Sequence, residues 1–323
     1  MINDAGCLSK STGARPHLAE YVLITPARNE AEFIERTINS VVNQTLRPLK
    51  WVIVSDGSTD GTDEIVRRYA AEHDWIEFVR MPERQERHFA GKVEAFNAGY
   101  ARLKNADYEI IGNLDADVSF EPDYIEYLLL KFVGNPRLGL AGTNRWEGAL
   151  MYDFRFTSIE DVFGSCQLFR RQCYEDIGGY RPIKGGGVDL VALLSARMHG
   201  WETRSYTDRI LIHHRPTGTA TNGKWMVNFN DGRKDYMLGG HPIWELFRAS
   251  YQMTKKPYGV RGCLLLWGYF WSMLNRIERP IPVDLIRFRR KEQMNRLARF
   301  LRKSLGRTQR PALKLQGHVN HQR

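Results

Sequence analysis

The 323-residue chain has only four cysteines, Cys7, Cys166, Cys173 and Cys263, and no two of them form a CxxC pair. That spacing excludes zinc-ribbon ligation and a dense disulfide framework, so a reducing compartment is expected. It also lacks an uninterrupted apolar run of ~18 residues, the length a membrane-crossing helix needs. The opening stretch MINDAGCLSKSTGARPHLAE has no apolar core of the signal-peptide kind. Acidic excess is missing as well: 47 Lys and Arg outnumber 37 Asp and Glu, for a formal charge of +10. Much of that surplus lies near the end, in RFRRKEQMNRLARFLRKSLGR. Such a basic segment suits nucleic acid, an anionic membrane surface or a solvated helix face. Nucleic acid would need cations lining a groove or a recognisable module, and neither is present, so no nucleic-acid partner is expected.

What is present is a globular composition, 42% hydrophobic with 15 Phe, 14 Tyr and 8 Trp. The length suffices for one large α/β domain with an appendage, or for two modest domains. YVLITPA reads as a buried strand, and EAEFIERTINSVVNQT spaces Phe33, Ile34, Ile38, Val41 and Val42 helically. KWVIVSDGSTDGT is a β-branched strand running into turn residues, and DEIVRRYAAEH a helix that Thr62 and Asp63 could cap. IEFVRM, VEAFNAGYARLK and YEIIGNLDADV continue as strand, helix and strand. This alternation predicts an α/β fold with a mainly parallel, Rossmann-like sheet and helices on both faces. EPDYIEYLLLKFV then reads as helix and GLAGTNR as strand, and FGSCQLFRRQCYEDIGGY holds a strand and a helix. GGGVDLVALLSARMHGW enters a helix at Asp189, and ETRSYTDRILIHHR returns as strand. The expected organisation is a polar tail over 1–18, an α/β domain over 19–222 and a basic, aromatic helical region over 223–323.

Ligands of such sheets bind beyond the carboxyl ends of the strands, and two acidic segments fall there. In IIGNLDADVSF a greasy strand stops at Asp115 and, one alanine later, places Asp117. Two neighbouring carboxylates repel unless a proton or cation sits between them. An Asp-x-Asp at a strand end can hold a hard divalent cation that bridges a diphosphate, or it can be an acidic turn before a helix. In SDGSTDGT, Asp56 closes a strand and glycines 57 and 61 permit a tight path; Asp60 and Thr62 can bind backbone or ligand.

YVLITPARNEAEFIERTINSVVNQT, WVIVSDGSTDGT, AGKVEAFNAGY and GNLDADV, in this order, resemble the opening of an inverting family 2 glycosyltransferase with the GT-A fold. The resemblance implies a nucleotide-diphosphate sugar donor, UDP-sugar favoured, with Mn²⁺ or Mg²⁺ and inversion at the anomeric carbon. Carried over position by position, Pro26, Arg28 and Glu30 match the first-strand loop that lines the nucleotide. Asp56 matches the acid on the base, Lys92 the basic residue near base or phosphate, Asp115 the acid toward ribose and metal, and Asp117 the metal ligand. The family's base commonly ends a Glu-Asp pair at a helix start, with an arginine later in that helix. Asp189 and Arg197 match these positions, while Val188 stands where the glutamate would be. The alternative for Asp189 is a helix-start acid favoured by the dipole. One of His213 and His214 can complete the metal shell, since adjacent strand residues face opposite ways. His214 is the expectation, because HRPTGTATNGKW continues from it as a loop over the phosphates, with Arg215 and Lys224 supplying charge.

The expected activity is metal-dependent transfer of a sugar to a hydroxyl on a glycan or lipid-linked acceptor in polysaccharide or glycolipid assembly. The expected location is cytoplasmic, peripheral on the inner face of the cell membrane. Two alternatives stand beside it. A sugar nucleotidyltransferase would need a glycine- and arginine-rich phosphate loop where TPARNEAEF stands, and a non-catalytic nucleotide- or membrane-binding scaffold of a synthase complex is favoured by Val188. At the basic end, VRGCLLLWGYFWSMLNRIERPIP sets Trp267, Tyr269, Phe270 and Trp271 between arginines, which suits an interfacial helix. The following segment spaces Leu285, Ile286, Met294, Leu297, Phe300 and Leu301 helically among cations. It can lie on anionic lipid or pack on the α/β domain with a solvated basic face.

Overall fold

The computed structural model describes residues 18–83, 89–147, 150–151, 158–215 and 224–307. Its strands are β1 (Tyr21–Ala27), β2 (Lys50–Asp56), β3 (Ile76–Met81), β4 (Ile110–Leu114), β5 (Val118–Ser119), β6 (Leu138–Glu147), β7 (Leu150–Met151), β8 (Cys166–Arg170) and β9 (Glu202–His213). Between them lie α1 (Ile34–Val42), α2 (Thr62–Glu72), α3 (Phe89–Ala101), α4 (Tyr124–Gly134), α5 (Arg171–Asp176) and α6 (Val188–Met198). Beyond β9 come α7 (Lys224–Met237), α8 (Pro242–Met253), α9 (Val260–Leu274) and α10 (Val283–Arg307). The chain divides into two compact units. One holds the strands and α1–α6, with Val188–Pro216 as its last segment; the other takes Gly185–Gly187 and the helices from α7 on.

The sheet runs β3-β2-β1-β4-β8-β6-β9-β5, with β7 on β6. Its first half is parallel, as the alternating pattern predicts: β1 pairs β2 from Val22↔Lys50 to Ala27↔Ser55 and pairs β4 from Tyr21↔Ile110 to Ile24↔Asn113. The second half is mixed, because β8 lies antiparallel to both β4 and β6, and β5 antiparallel to β9. The β1–β4 strands alternate with crossover helices, which parallel pairing requires; among the described residues no helix separates β6 from β8.

Strand period sorts side chains to the two faces. Tyr21 and Leu23 of β1 join Ile34, Ile38 and Val41 of α1 and Leu128 and Phe132 of α4 in one buried layer. Val22 and Ile24 face the other way, onto Val93 and Phe96 of α3 and Ala192 and Leu193 of α6. Strands buried on both faces need near-continuous apolar sequence, which is why YVLITPA and WVIV are greasy throughout. Gly99 of α3 permits that helix to approach the sheet: a Cβ there would lie 2.7 Å from Ile24 Cγ2.

The cap expected at α2 is replaced by another. Gly61 is the N-cap, at φ +92°, and neither it nor Thr62 supplies a side-chain cap. Thr62 Oγ1 instead accepts from the Glu30 N–H at 2.8 Å, tying the loop after β1 to the loop after β2.

In the helical unit α10 uses part of its charge internally. Leu285, Ile286, Arg289, Gln293 and Leu297 form its buried face, and Arg289 binds Asp235 together with the carbonyls of Asp235 and Leu238. Met294 is half-buried, while Phe300 and Leu301 of the expected apolar stripe are exposed.

Candidate active site

Three loops at the carboxyl ends of β1, β2 and β4 carry most of the expected site residues. After Pro26, half-buried in β1, come Arg28 and then Asn29, which adopts φ +54°. That turn lets Asn29 Oδ1 accept from the Thr59 N–H at 2.9 Å while its own N–H donates to Ser58 Oγ at 3.1 Å. Asp60 Oδ2 accepts from the Ala31 N–H at 3.0 Å. Burial works against ionisation there, but the bonds from Thr62 and Ala31 hold the Asp60 carboxyl below its ordinary range. Of the two roles open to Asp60 and Thr62, the structure shows the backbone one.

Asp56 ends β2 almost fully buried, with Arg28 Nη1 3.7 Å from its Oδ2. The next residue must be glycine: Gly57 has φ +66°, and a Cβ would stand 2.6 Å from the Glu83 backbone. Glu30 turns its carboxylate onto Arg215, whose Nη1 and Nη2 donate to Oε1 and Oε2 at 3.0 and 2.6 Å. This bidentate pairing fixes the guanidinium, which also sits 5.4 Å over the Phe33 ring. Arg215 therefore reaches the β1 loop from the far end of β9, nearly the whole domain away in sequence.

The acid pair follows β4. The Asp115 N–H donates to Ser165 O at 2.9 Å, and its carboxylate pairs with Lys92 of α3. Burial of the lysine stem works against its charge, yet Asp115, Asp189 and Asp117 together raise the Lys92 ammonium above its ordinary range. Asp117 is 8% exposed. Burial and the Asp115 charge push its carboxyl up, and the cationic field of His213, Arg215 and Lys92 does not cancel that.

The histidine expectation is corrected here. His213 Nε2 lies 3.5 Å from Asp117 Oδ1, and ligand-capable atoms of Asp115, Asp117 and His213 all fall within 4.8 Å of one another. His214, favoured from the sequence, faces away: its Nε2 contacts Ser119 Oγ at 2.9 Å, its Nδ1 contacts Arg36 at 3.2 Å, and its ring stacks on Phe33. The reason is strand pairing. Val118 of β5 registers with His213 of β9, and the His214 N–H donates to Asp117 O at 2.9 Å. That brings the His213 side chain to the acid side. Thr37 fixes β5 in turn, accepting from the Val118 N–H and donating to its carbonyl at 3.0 and 2.7 Å.

The donor set fits a hard divalent cation: two carboxylates and an imidazole converge, and the mutual repulsion of the acids is what a cation would relieve. The His213 Nδ1 is buried without a hydrogen-bond partner among the described residues.

Asp189 stands half-buried in the first turn of α6. A Cβ on Gly164 would lie 2.9 Å from Asp189 Oδ2 and 3.0 Å from its Cβ, so the carboxylate rests directly against the glycine backbone. Asn113 of β4 holds that backbone, donating from Nδ2 to Gly164 O at 2.9 Å. Gly164 was not legible as a site residue, because a lone glycine between Phe163 and Ser165 carries no motif. Arg197, expected after the base, ties α6 to the loop before β8 through Asp161 at 3.2 Å. Lys224's side chain and the expected phosphate loop after Arg215 lie outside the described residues.

A mixed sheet flanked by helices, with an Asp-x-Asp at the carboxyl end of its parallel half, has the architecture of the GT-A glycosyltransferases. Solved structures agree on the fold. The mannosyltransferase PcManGT from Pyrobaculum calidifontis, in complex with GDP-Man and Mn²⁺, superposes with a TM-score of 0.52 at 19% identity, over 90% of this chain and 81% of that one. Staphylococcus aureus TarS 1-349, in complex with UDP-GlcNAc, gives 0.52 at 14% identity, over 88% and 81%. Residues 22–149 match the family described as Glycosyl transferase family 2. Poly-beta-1,6-N-acetyl-D-glucosamine synthase of Staphylococcus epidermidis is 34% identical over 116 residues, which are 36% of this chain and 26% of that protein. Its Staphylococcus aureus (strain COL) counterpart is 33% identical over the same length. The chain thus spans about a quarter of the length of these relatives.

Proposed function

We propose that the protein transfers a sugar, with inversion, from a nucleotide-diphosphate donor to a hydroxyl on a glycan or lipid-linked acceptor, at the inner face of a cell membrane. The observation that carries this reading is the convergence of Asp115, Asp117 and His213 within 4.8 Å, beside Lys92 and Arg215. The known complexes of the fold neighbours, one with GDP-Man and Mn²⁺ and one with UDP-GlcNAc, support a nucleotide-sugar donor. The UDP-GlcNAc complex supports a UDP-sugar, and the named product of the relatives a polysaccharide acceptor.

In this reading Asp56 and Arg28 meet the nucleotide base, and Pro26 and Glu30 shape the loop beneath it. Asp115, Asp117 and His213 would hold Mn²⁺ or Mg²⁺, which neutralises diphosphate charge when bound. Lys92 and Arg215 oppose the negative charge that grows on the leaving oxygen as its bond to the anomeric carbon breaks. Asp189 accepts the acceptor's hydroxyl proton while that oxygen bonds the anomeric carbon from the opposite side. Gly164 takes over the orienting that a glutamate at position 188 would otherwise provide. A non-catalytic scaffold remains the second reading, favoured by Val188 alone.

The test is donor hydrolysis with purified protein, Mn²⁺ and a panel of UDP-, GDP- and dTDP-sugars, beside Asp117→Ala and Asp189→Ala. Metal-dependent nucleotide release from one donor, lost in Asp117→Ala, is the expected result. Silence across the panel and with every acceptor tried, alongside retained nucleotide binding, would give the scaffold reading the field.

A further inference from the structure

We propose that the outward face of α9 is a docking surface for an anionic phospholipid bilayer, which the helix meets lying flat. This extends the membrane-face location proposed above and rests on it for its purpose, but it stands on observations in the helical unit alone.

One side of α9 is fixed in protein. A Cβ on Gly262 would lie 2.4 Å from Ala249 O of α8, and one on Gly268 would lie 2.0 Å from Phe229 O of α7. Those glycines bring the backbones together, and Leu265, Tyr269 and Ser272 are buried on the same side. At helical spacing the opposite side reads Val260, Cys263, Leu264, Trp267, Phe270, Trp271 and Leu274, with no polar interruption. Trp267 is 61% exposed and Leu274 78%. A helix of 15 residues is ~22 Å long, short of the ~30 Å hydrocarbon core. No helix among the described residues is long and apolar enough to cross a membrane. Held along one side and greasy along the other, α9 can meet a bilayer only sideways.

Charge selects the occupant. From Tyr251 to Ile277 there is no Asp or Glu, while Lys255 and Lys256 precede the helix, Arg261 opens it and Arg276 follows it. Lys256, Arg261 and Arg276 are exposed. The Arg233 guanidinium lies 5.3 Å over the Trp271 ring, beside the stripe. Tryptophans flanked by cations match the headgroup boundary of an anionic leaflet, where apolar rings enter the acyl region and basic groups remain with the phosphates. A second copy of α9 would instead bring these cations against one another.

The test is co-sedimentation of the full chain with vesicles of phosphatidylcholine, with and without phosphatidylglycerol. It is run beside Trp267→Ser/Leu274→Ser and Lys255→Glu/Lys256→Glu, with light scattering for oligomeric state. Both pairs are peripheral to the unit's core, and circular dichroism checks that each variant is folded. Wild type should bind the anionic vesicles about tenfold better than the neutral ones, and each variant should lose about tenfold on the anionic vesicles. Equal binding by wild type and the Trp267→Ser/Leu274→Ser variant overturns the proposal. So does a wild-type dimer that the variant abolishes while vesicles are ignored. Donor hydrolysis on the same preparations reads the transfer reaction separately, so failure of docking and failure of transfer are told apart.

Discussion

Each unit of this protein brings two carboxyls within electrostatic reach of each other, and the two pairs relieve the repulsion differently. In the helical unit, Asp235 and Glu245 are sealed from water, at 7% and 0% exposure. Burial followed by the Asp235 charge pushes Glu245 up to about 9, so it stays protonated at neutral pH and can hand its O–H to Asp235. Burial opposes the Asp235 charge, but Arg289 and Arg248 hold that carboxyl below its ordinary range. A proton, the buried Arg289 and the half-buried Arg248 settle this pair from within. In the sheet unit, Asp115 takes one lysine, Asp117 is left with its carboxyl raised, and an imidazole joins them at the strand edge. That pair is open to an external cation. A buried acid pair is thus a structural device when its counter-charges are built in, and a candidate cation site when they are incomplete.

Arg289→Met should separate the two most strongly. It leaves both acids of the helical unit without their deepest cation and takes one donor from each of two carbonyls, and about 3–5 kcal/mol of stability should be lost in denaturant unfolding. Asp117→Ala should do the opposite: nucleotide release falls more than about 100-fold, while unfolding stability stays level or rises because a repulsion is removed. Glu245→Gln tests the built-in proton. Below pH 4.5, the ordinary glutamate value, folded and unfolded states are both protonated. Between there and about 9 only the unfolded state has released the proton, so wild-type stability falls as pH rises. The glutamine variant should lose that slope, worth up to about 1.4 kcal/mol per pH unit. Gly164→Ala should have the smallest effect, lowering turnover about tenfold by displacing Asp189 while nucleotide affinity is unchanged.

Much of the sheet unit could be read from local sequence. YVLITPA and IEFVRM are β1 and β3 residue for residue: β1, buried on both faces, leaves a continuous apolar run, while β3 at the sheet edge is half-buried and reads through its β-branched and aromatic residues. Asp56, Asp115 and Asp117 were legible for the same reason, each standing where such a run stops. The choice between His213 and His214 was not, since counting by two cannot say which parity faces the acids. That parity is set by a two-residue strand pairing with β9, and β9 itself shifts register against β6 between Thr143 and Asn144. The support of Asp189 by Gly164 and the Asp235–Glu245–Arg289 cluster were hidden because they join segments far apart in sequence. The basic stretch of α10 misled in part, since a buried Arg289 and a solvated arginine look alike in a sequence.

The proposed function requires Asp115, Asp117 and His213 to hold a divalent cation for a nucleotide diphosphate. Calorimetric titration of UDP and GDP, with Mn²⁺ and with chelator, tests it most directly on wild type, Asp117→Ala, His213→Ala and His214→Ala. The account predicts binding that needs Mn²⁺, is lost in Asp117→Ala, is weakened in His213→Ala and survives in His214→Ala. Binding that is indifferent to chelator, or that follows His214 rather than His213, would contradict it.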